Sequence, residues 1–318
     1  MFEDVNFSVR DEVISNLNGL SRDYSIISEQ RLLELYDIAI PMANASIALM
    51  KDGLEGYELI SVLSDELRFG DYVLSDRSTK ELSPILIKSL TSLARTDRAF
   101  LTEIYLCELK KAGYLIDESD FLPAASLPET FTYVRNSFSD EAYDVFSQDF
   151  SDPRVVYSKT FKDCARALTS GEVTYCLLPL EEKGGARLHT VSDIIFRNDF
   201  KINSVIPVFG PDGNADIKYA LVSRSFTVPR KNEDDDLYLE IRLGSDRDGI
   251  LAEILGVVDY FGMSVYRINT VTFDTEGDPE TYVSLVIRDK DTGFAPILTY
   301  LTLFVRDFVP VGIYKNLE

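Results

Sequence analysis

Apolar residues recur at helical spacing through the first third of the chain. Pro41 interrupts the first of these segments and is expected to kink its helix or to restart it. A second helix is predicted at residues 57–69, and Ser83-Pro84 has the residue types of an N-cap and a first helical position for a long third helix. Together these segments predict a helical bundle over residues 1–115.

The middle of the chain alternates short apolar runs with helical segments. Predicted strands cover 131–134, 155–157, 174–178 and 204–209, and predicted helices cover 139–150 and 161–168. Ser139 and Thr160 are the expected N-caps of these helices. The alternation predicts an α/β domain at 129–229. A linker with prolines is predicted before it at 115–130, and a charged linker after it at 229–236.

The last part of the chain follows the pattern of a βαββαβ unit. Leu237, Leu239 and Ile241 alternate with more polar residues, and an apolar helix follows that Gly262 should end. Further strands are predicted at 265–271, 282–287 and 309–314, with a helix at 295–304 between the last two. This order is that of a split βαβ, ferredoxin-like fold and predicts a third domain at 237–318. The whole chain is therefore predicted to be an α+β multidomain protein.

Charge and composition narrow the classes of function. The 318 residues carry a net charge of −21 and a pI of about 4.5, which opposes nucleic acid and anionic membrane surfaces. Neither a basic region followed by an apolar run at the N-terminus nor a stretch of 18 uninterrupted apolar residues is present. The sequence therefore predicts a soluble, cytoplasmic protein with no nucleic-acid or membrane partner.

The cysteines and the single histidine argue against metal and redox chemistry. Cys107, Cys164 and Cys176 are odd in number, widely spaced and set among apolar residues, which favours buried thiols in a reducing compartment. His189 alone supplies neither a histidine-rich metal site nor much freedom to build a Ser-His-Asp triad. No metal and no cofactor are predicted.

The turn after the first strand of the C-terminal unit reads Asp248-Gly249-Ile250-Leu251-Ala252. With this turn and the βαββαβ order, the region resembles the ACT domain. The resemblance implies a small amino acid as ligand, with aromatic ones among the candidates, and a homodimer formed through the ACT domains. Gly249 without a Cβ lets a carboxylate approach N–H groups at a helix N-terminus, although the glycine also fits a purely structural turn. The predicted ligand-binding residues are Asp246, Asp248, Gly249, Ile250, Leu251, Ala252 and Asn269.

Two stretches of the middle domain resemble the catalytic domain of prephenate dehydratase. Residues 136–139, Asn-Ser-Phe-Ser, match the family's Gly-Thr-Phe-Ser turn, and residues 167–183 match the stretch that carries its Pro-Ile-Glu motif. The resemblance implies a fold akin to periplasmic binding proteins, but residues 131–228 are too few for two lobes, so a single lobe is expected. In an active enzyme, the resemblance places four residues at the catalytic site: Ser137, Ser139, Glu181 and Lys218.

Two hypotheses follow, and whether the chain is an enzyme stays open at this point. The first is a non-catalytic regulatory or amino-acid-binding protein of aromatic amino-acid metabolism, because one lobe supplies only half of a cleft. The second is an active prephenate dehydratase, which forms phenylpyruvate. In that case the helical domain or another subunit completes the cleft, and the missing cation comes from Arg135, Arg187, Lys218 or Arg224.

Overall fold

The computed structural model describes residues 21–51, 53–54, 93–121, 129–182, 185–209, 215–225, 227–229, 236–244, 249–273, 280–289, 293–305 and 308–315. They form two compact units, of which one contains the two N-terminal helices and the other contains all the described strands. The predicted mixture of helices and strands is confirmed, and the described strands form one large sheet.

The helical unit pairs α1 (Ser21–Lys51) with α2 (Arg95–Lys111). Pro41 lies inside α1, so the expectation of a restart there is wrong. Apolar side chains from both helices are buried between them: Leu35, Ala39, Met42, Leu101, Ile104 and Tyr105. The predicted helix at 57–69 and the predicted start of the third helix at Ser83 lie outside the described residues.

One stretch of α1, Glu29–Lys51, has the length and composition to cross a membrane. A third of that stretch is buried within the protein, and core helices of soluble proteins have the same properties. Two polar contacts further tie α1 to α2: Ser46 Oγ lies 2.9 Å from Tyr105 Oη, and Arg31 Nη2 lies 2.8 Å from Asp97 Oδ2.

The α/β unit contains the remaining elements in sequence order. They are β1 (Thr130–Val134), α3 (Ser137–Phe146), β2 (Arg154–Ser158), α4 (Phe161–Ser170), β3 (Tyr175–Glu182), α5 (His189–Arg197), β4 (Lys201–Phe209), β5 (Ala215–Ser223), β6 (Leu237–Gly244), α6 (Ile250–Tyr260), β7 (Ser264–Phe273), β8 (Glu280–Asp289), α7 (Ala295–Phe304) and β9 (Phe308–Lys315). Helix α5 and strand β5 were not predicted. The βαββαβ order of β6 to β9 is confirmed.

Local signals explain where these helices begin and end. The Thr160 side chain accepts a hydrogen bond from the N–H of Asp163 at the start of α4, and Gly171 ends that helix at a φ of 78°. Helix α3 begins at Ser137, two residues before the predicted start, because Asn136 is its N-cap. Ser139 is therefore the third helical residue, and the prediction that it is the N-cap is wrong.

All described strands belong to one nine-stranded sheet with the order β2-β1-β3-β5-β4-β9-β6-β8-β7. Strands β1, β2 and β3 are parallel, whereas β5 is antiparallel to β3 and to β4. Strand β6 is antiparallel to both β8 and β9. The two regions predicted as domains 129–229 and 237–318 thus share a single sheet.

Among the described residues, one aligned strand pair connects β4 to β9 and so joins the two halves of the sheet. Ile202 of β4 is aligned with Gly312 of β9 in a parallel pairing. A Cβ added to Gly312 would lie 2.3 Å from the carbonyl oxygen of Ile202, so only glycine allows this approach. On the β4 side, Lys201 Nζ donates to the Pro310 carbonyl oxygen at 2.9 Å and adds a second link across the junction.

The segment predicted as the first linker is partly ordered against the C-terminal half. Residues Glu118–Phe121 form a 3₁₀ helix with Phe121 buried. A carboxylate oxygen of Glu118 accepts a hydrogen bond from the backbone N–H of Phe294 at 2.5 Å. Because Phe294 is the N-cap of α7, Glu118 places a negative charge at the N-terminus of that helix, where the helix dipole favours it.

Two apolar cores lie on opposite faces of the first half of the sheet. Helix α3 packs on one face with Phe131, Tyr133 and Leu177. Helices α4 and α5 pack on the other face, in a core that also contains Tyr238 and Val286 of the C-terminal strands. The second core therefore continues from one half of the sheet into the other.

Candidate functional site

The hydroxyl groups at the start of α3 serve the helix itself. Ser139 is buried, and its Oγ accepts from the Asn136 N–H at 2.8 Å and donates to the Val134 carbonyl oxygen at 2.9 Å. The Asn136 side chain accepts from the Ser139 N–H in return, which completes a capping box. Ser137 is exposed at the first helical position.

The four residues assigned to catalysis by resemblance reach one edge of the sheet but have different surroundings. The carboxyl ends of the parallel strands β1 and β3 point the same way, so Ser137, which follows β1, and Glu181, the last but one residue of β3, lie toward the same end of the sheet. Lys218 of β5 is aligned with Glu181 of β3. Lys218 is half-buried, and Ser137 is exposed, whereas Glu181 is buried.

Glu181 is held by two arginines. Both terminal nitrogens of Arg267 bind its carboxylate: Nη1 contacts Oε1, and Nη2 lies 3.4 Å from Oε2. Arg187 approaches the same Oε1, with its Nε at 3.5 Å. The two arginines come from different halves of the sheet, because Arg187 lies in the turn after β3 and Arg267 in β7.

A β-bulge in β3 directs Glu181 toward this arginine pair. The register with β5 shifts between Pro179 and Glu181, which leaves Leu180 as an extra residue in the ladder. Bulges of this kind redirect side chains that would otherwise alternate strictly between the two faces. As a result, Leu180 and Glu181 line the same small cavity.

Arg187 is the centre of a buried network. Its Nη2 lies 2.6 Å from Glu240 Oε2 and 3.3 Å from Tyr314 Oη. Tyr314 donates to the same Glu240 oxygen at 2.9 Å, and Ser284 donates to the other one at 2.8 Å. The Glu240 side chain has no exposed surface, and that of Arg187 is 9% exposed. Glu181, Arg187, Glu240, Arg267 and Tyr314 are called the Arg187 cluster below.

The electrostatics of the cluster favour a charged Arg187 and a neutral Tyr314. Burial works against the guanidinium charge, but Glu240 and Glu181 outweigh it, so the pKa of Arg187 lies above its usual value. Burial and the Glu240 charge raise the pKa of Tyr314 well above that of a free tyrosine, so Tyr314 is a neutral donor at physiological pH. The cluster thus contains two guanidinium groups against two carboxylates.

A cavity of about 10 Å³ lies beside these charges, with Glu181, Arg187, Tyr238 and Tyr266 among its lining residues. A volume of this size holds about one water molecule at most. The cavity is therefore too small for a substrate as long as the Glu181 side chain lines it.

The predicted amino-acid-binding turn lies elsewhere in the unit. Gly249 has a φ of 85° and is the N-cap of α6, which begins at Ile250 and continues through Leu251 and Ala252. Glycine adopts this backbone conformation without the steric cost that a Cβ brings. Asp246 and Asp248 lie outside the described residues.

Asn269 lies in β7, aligned with Ser284 of β8. Alternation places it on the sheet face of Arg267 and Val271, the face that meets α5. Its Nδ2 is buried and has no hydrogen-bond partner among the residues that the structure describes.

The remaining candidate groups have structural partners. His189 is exposed, and its Nε2 lies 3.0 Å from the Thr272 carbonyl oxygen. Cys164 and Cys176 are buried, as predicted, whereas Cys107 is exposed, so the prediction that it is buried is wrong. Within the described part of the chain, no three His, Cys, Asp or Glu residues come together as a metal site would require.

No family model and no curated protein sequence matches this chain. Among solved structures, it is similar to a prephenate dehydratase from Streptococcus mutans, with 15% identity over 60% of this chain and 100% of that one and a TM-score of 0.47. A quorum-quenching acylase covers 59% of this chain and 95% of its own at 16% identity, with a TM-score of 0.43.

A third similar structure is a prephenate dehydratase from Arthrobacter aurescens in complex with L-Phe. It is 14% identical and covers 58% of this chain and 89% of its own, with a TM-score of 0.44.

Sequence patterns did not reveal Glu240, Arg267 and Tyr314 as site residues. Glu240 alternates with Leu239 and Ile241, which is the pattern of a solvent-facing strand position, yet it is fully buried. The sequence predicts Arg187 only as a possible cation of the active enzyme, whereas its guanidinium donates a hydrogen bond to Glu240. A pattern of alternation cannot distinguish solvent from a second buried polar layer.

Proposed function

We propose that this chain is a non-catalytic, amino-acid-responsive protein of aromatic amino-acid metabolism. The observation that carries the proposal is the binding of Glu181, the residue at the family's glutamate position, by Arg187 and Arg267 in a buried site. The Glu181 carboxylate is buried and directed at guanidinium groups instead of at an open cleft. The hydroxyl of Ser139 is likewise used by its own helix.

The proposed ligand is a small amino acid at the turn of Gly249 to Ala252. Gly249 is exposed and is the N-cap of α6, which has no side-chain cap hydrogen bond. The first N–H groups of a helix together with its dipole attract a carboxylate. The sequence resemblance to ACT domains adds the expectation of an amino acid and of a homodimer. The C-terminal strands share a sheet with β1 to β5. A ligand at the turn of Gly249 is therefore connected through paired strands to the first half of that sheet.

The binding test uses two glycines that flank the same helix. Gly249 and Gly262 both have positive φ values, and they lie at the opposite ends of α6. Isothermal titration with the twenty amino acids should identify a ligand, and Gly249→Ala should weaken it at least about tenfold, or about 1.4 kcal/mol. Gly262→Ala carries a comparable backbone strain away from the turn and should leave affinity nearly unchanged. Silence across the panel contradicts the proposal.

A second candidate function is an active prephenate dehydratase. The observation in its favour is the exposed Ser137 at the N-terminus of α3, at the same sheet edge as Lys218. Turnover of prephenate to phenylpyruvate, followed by ultraviolet absorbance, distinguishes the two functions. No turnover is expected. Activity that Ser137→Ala abolishes while the fold is retained would establish the enzyme instead.

A further inference from the structure

The Arg187 cluster contains more hydrogen-bond donors than acceptors. Arg187 and Arg267 each bring five N–H groups, whereas the carboxylates of Glu181 and Glu240 are the charged acceptors that meet them. The Arg187 side chain is only 9% exposed, and its Nε atom is buried without a hydrogen-bond partner among the described residues. Glu181 Oε1 lies 3.5 Å from this Nε atom but accepts no hydrogen bond from it. A buried donor without an acceptor is costly, and it marks a place where an additional acceptor would be bound favourably.

The geometry around Glu181 is that of a bound carboxylate. Arg267 contacts both of its oxygens with two terminal nitrogens, the parallel fork that guanidinium groups form with carboxylates. Arg187 approaches from a second direction with Nε at 3.5 Å. Arg187 is also paired with Glu240 at 2.6 Å, so it is the fork of Arg267, with Arg187 beside it, that matches the recognition of a small acid.

Glu181 lies near the end of β3, where it is aligned with Lys218 of β5 and is outside the part of β3 that pairs with β1. The chain turns directly after it: the Gly185 N–H donates to the Glu182 carbonyl oxygen at 2.9 Å, and the Glu182 N–H donates to the Ala186 carbonyl oxygen at 3.0 Å. Its position at the bulge means that a change of its side chain leaves the pairing of β1 with β3 intact. The carboxylate can therefore leave the arginines without opening the sheet.

We propose that Arg187 and Arg267 form a binding site for a small monocarboxylic acid, and that Glu181 fills this site from within the chain. The free acid and the Glu181 side chain compete for the same two guanidinium groups. Because the adjoining cavity has a volume of only about 10 Å³, a free acid enters when Glu181 leaves. The proposal shares the arginine contacts of Glu181 with the proposed function, but its site is separate from the turn at Gly249, so the acetate test and the amino-acid titration can fail independently of each other.

The test replaces the internal carboxylate with a free one of matched size. Glu181→Ala removes a CH₂–COO⁻ group, which is an acetate, and Glu181→Gly removes one more carbon, which corresponds to propionate. In the full chain, acetate should raise the Tm of the alanine variant by about 3–5 °C for each tenfold increase above its dissociation constant. Propionate should be the better ligand of the glycine variant. Sodium chloride at equal ionic strength is the reference.

The wild-type chain and a second substitution provide the controls. Wild type should respond to acetate no more than to chloride, because Glu181 fills the site. Adding Arg267→Met to Glu181→Ala should abolish the acetate effect. The proposal is overturned if acetate stabilises the alanine variant no more than wild type, or if the double variant keeps the full response.

If the variants do not fold in buffer, a second measurement tests the proposal. The far-ultraviolet circular dichroism and the soluble yield of Glu181→Ala are then compared after refolding in acetate and in chloride. Acetate should restore both. Equal recovery in the two salts would overturn the proposal, because an unoccupied arginine pair would then show no preference for a carboxylate.

Discussion

The Nη2 atom of Arg187 lies 2.6 Å from the Oε2 atom of Glu240, and this ion pair connects the turn after β3 to the middle of β6. Both side chains are buried, and Tyr314 and Ser284 satisfy the remaining lone pairs of the carboxylate. A buried pair of this kind gains from mutual attraction only about what desolvation costs, but the loss of one partner leaves an uncompensated charge. This ion pair thus links the two halves of the sheet, and the removal of one partner without the other is destabilising.

Removal of the cation from this pair should be severely destabilising. Arg187→Met leaves Glu240 buried without its charged partner, and we expect a loss of about 3–5 kcal/mol in the free energy of unfolding. Urea unfolding followed by circular dichroism measures the loss. Adding Glu240→Leu to Arg187→Met should recover much of it, because no unpaired charge then remains.

An exposed ion pair of similar length is the matched control. Arg154 Nη2 lies 2.8 Å from Asp152 Oδ2, but both side chains are 74% exposed. Arg154→Met should leave the unfolding midpoint nearly unchanged, because water and salt screen exposed pairs. An equal loss for the Arg187 and Arg154 variants would contradict the view that burial sets the effect.

The junction between β4 and β9 should be intolerant of any side chain at Gly312. Gly312→Ala would bring its Cβ to within 2.3 Å of the Ile202 carbonyl oxygen, so the strands must separate. We expect a loss of about 1–3 kcal/mol in unfolding free energy, as for other forced contacts in tightly packed structure. Hydrogen exchange of β4 and β9 amides should increase with it.

Gly256 offers the opposite case for the same substitution. It lies exposed within α6, and an added Cβ would meet nothing within 4 Å. Gly256→Ala should stabilise the protein by about 0.5–1 kcal/mol, because alanine loses less backbone entropy in a helix. If both glycine variants changed stability in the same direction, the close approach at Gly312 would not be the cause.

The two serines of α3 should differ in their contribution to stability. Ser139→Ala removes one half of the capping box and should cost about 1 kcal/mol, whereas Ser137→Ala, at an exposed position, should cost little. Chemical unfolding of both variants measures the difference. A larger loss for Ser137→Ala would show that the hydroxyl of Ser137 has a structural partner and would weaken the assignment of the capping box to Asn136 and Ser139.

The stability of the helical unit should fall at alkaline pH. Burial raises the pKa of Tyr105 to about 12, two units above its usual value. The folded state therefore resists loss of this proton: the stabilisation is complete below pH 10 and is lost as the pH rises from 10 to 12, by up to about 3 kcal/mol. Unfolding experiments at pH 8, 10 and 11 on wild type and Tyr105→Phe should show a stability difference that shifts in favour of the phenylalanine variant. A difference that is independent of pH would contradict this assignment.

Local sequence signals were sufficient for most of the secondary structure. The N-cap at Thr160 and the terminator at Gly171 gave the bounds of α4 closely, because both act through neighbouring backbone groups. Alternating apolar positions likewise located β6. Helix α5 was missed: its N-cap is Leu188, which makes no side-chain cap hydrogen bond, so the start of the helix lacks a sequence signal.

The candidate site was only partly accessible to sequence reasoning. Glu181 was found through its motif, but its surroundings were not, because Arg267 lies 86 residues away and reaches it only through the arrangement of the sheet. The sequence predicts that Asn269 faces the turn at Gly249. No local rule, however, sets which face of a strand a residue occupies relative to a distant turn. Its alignment with Ser284 depends on the register of β7 against β8, which includes an irregularity between Val265 and Arg267.

The sequence by itself determined the types and order of most elements and the glycine at the start of α6, because caps, turns and periodicity act over a few residues. Only the tertiary structure decided that the strands form one sheet, that Gly312 permits the junction, and that Glu240 is buried against Arg187, 53 residues away. The physical reason is that the partner of a buried charge is set by register and strand order, and these depend on contacts throughout the fold.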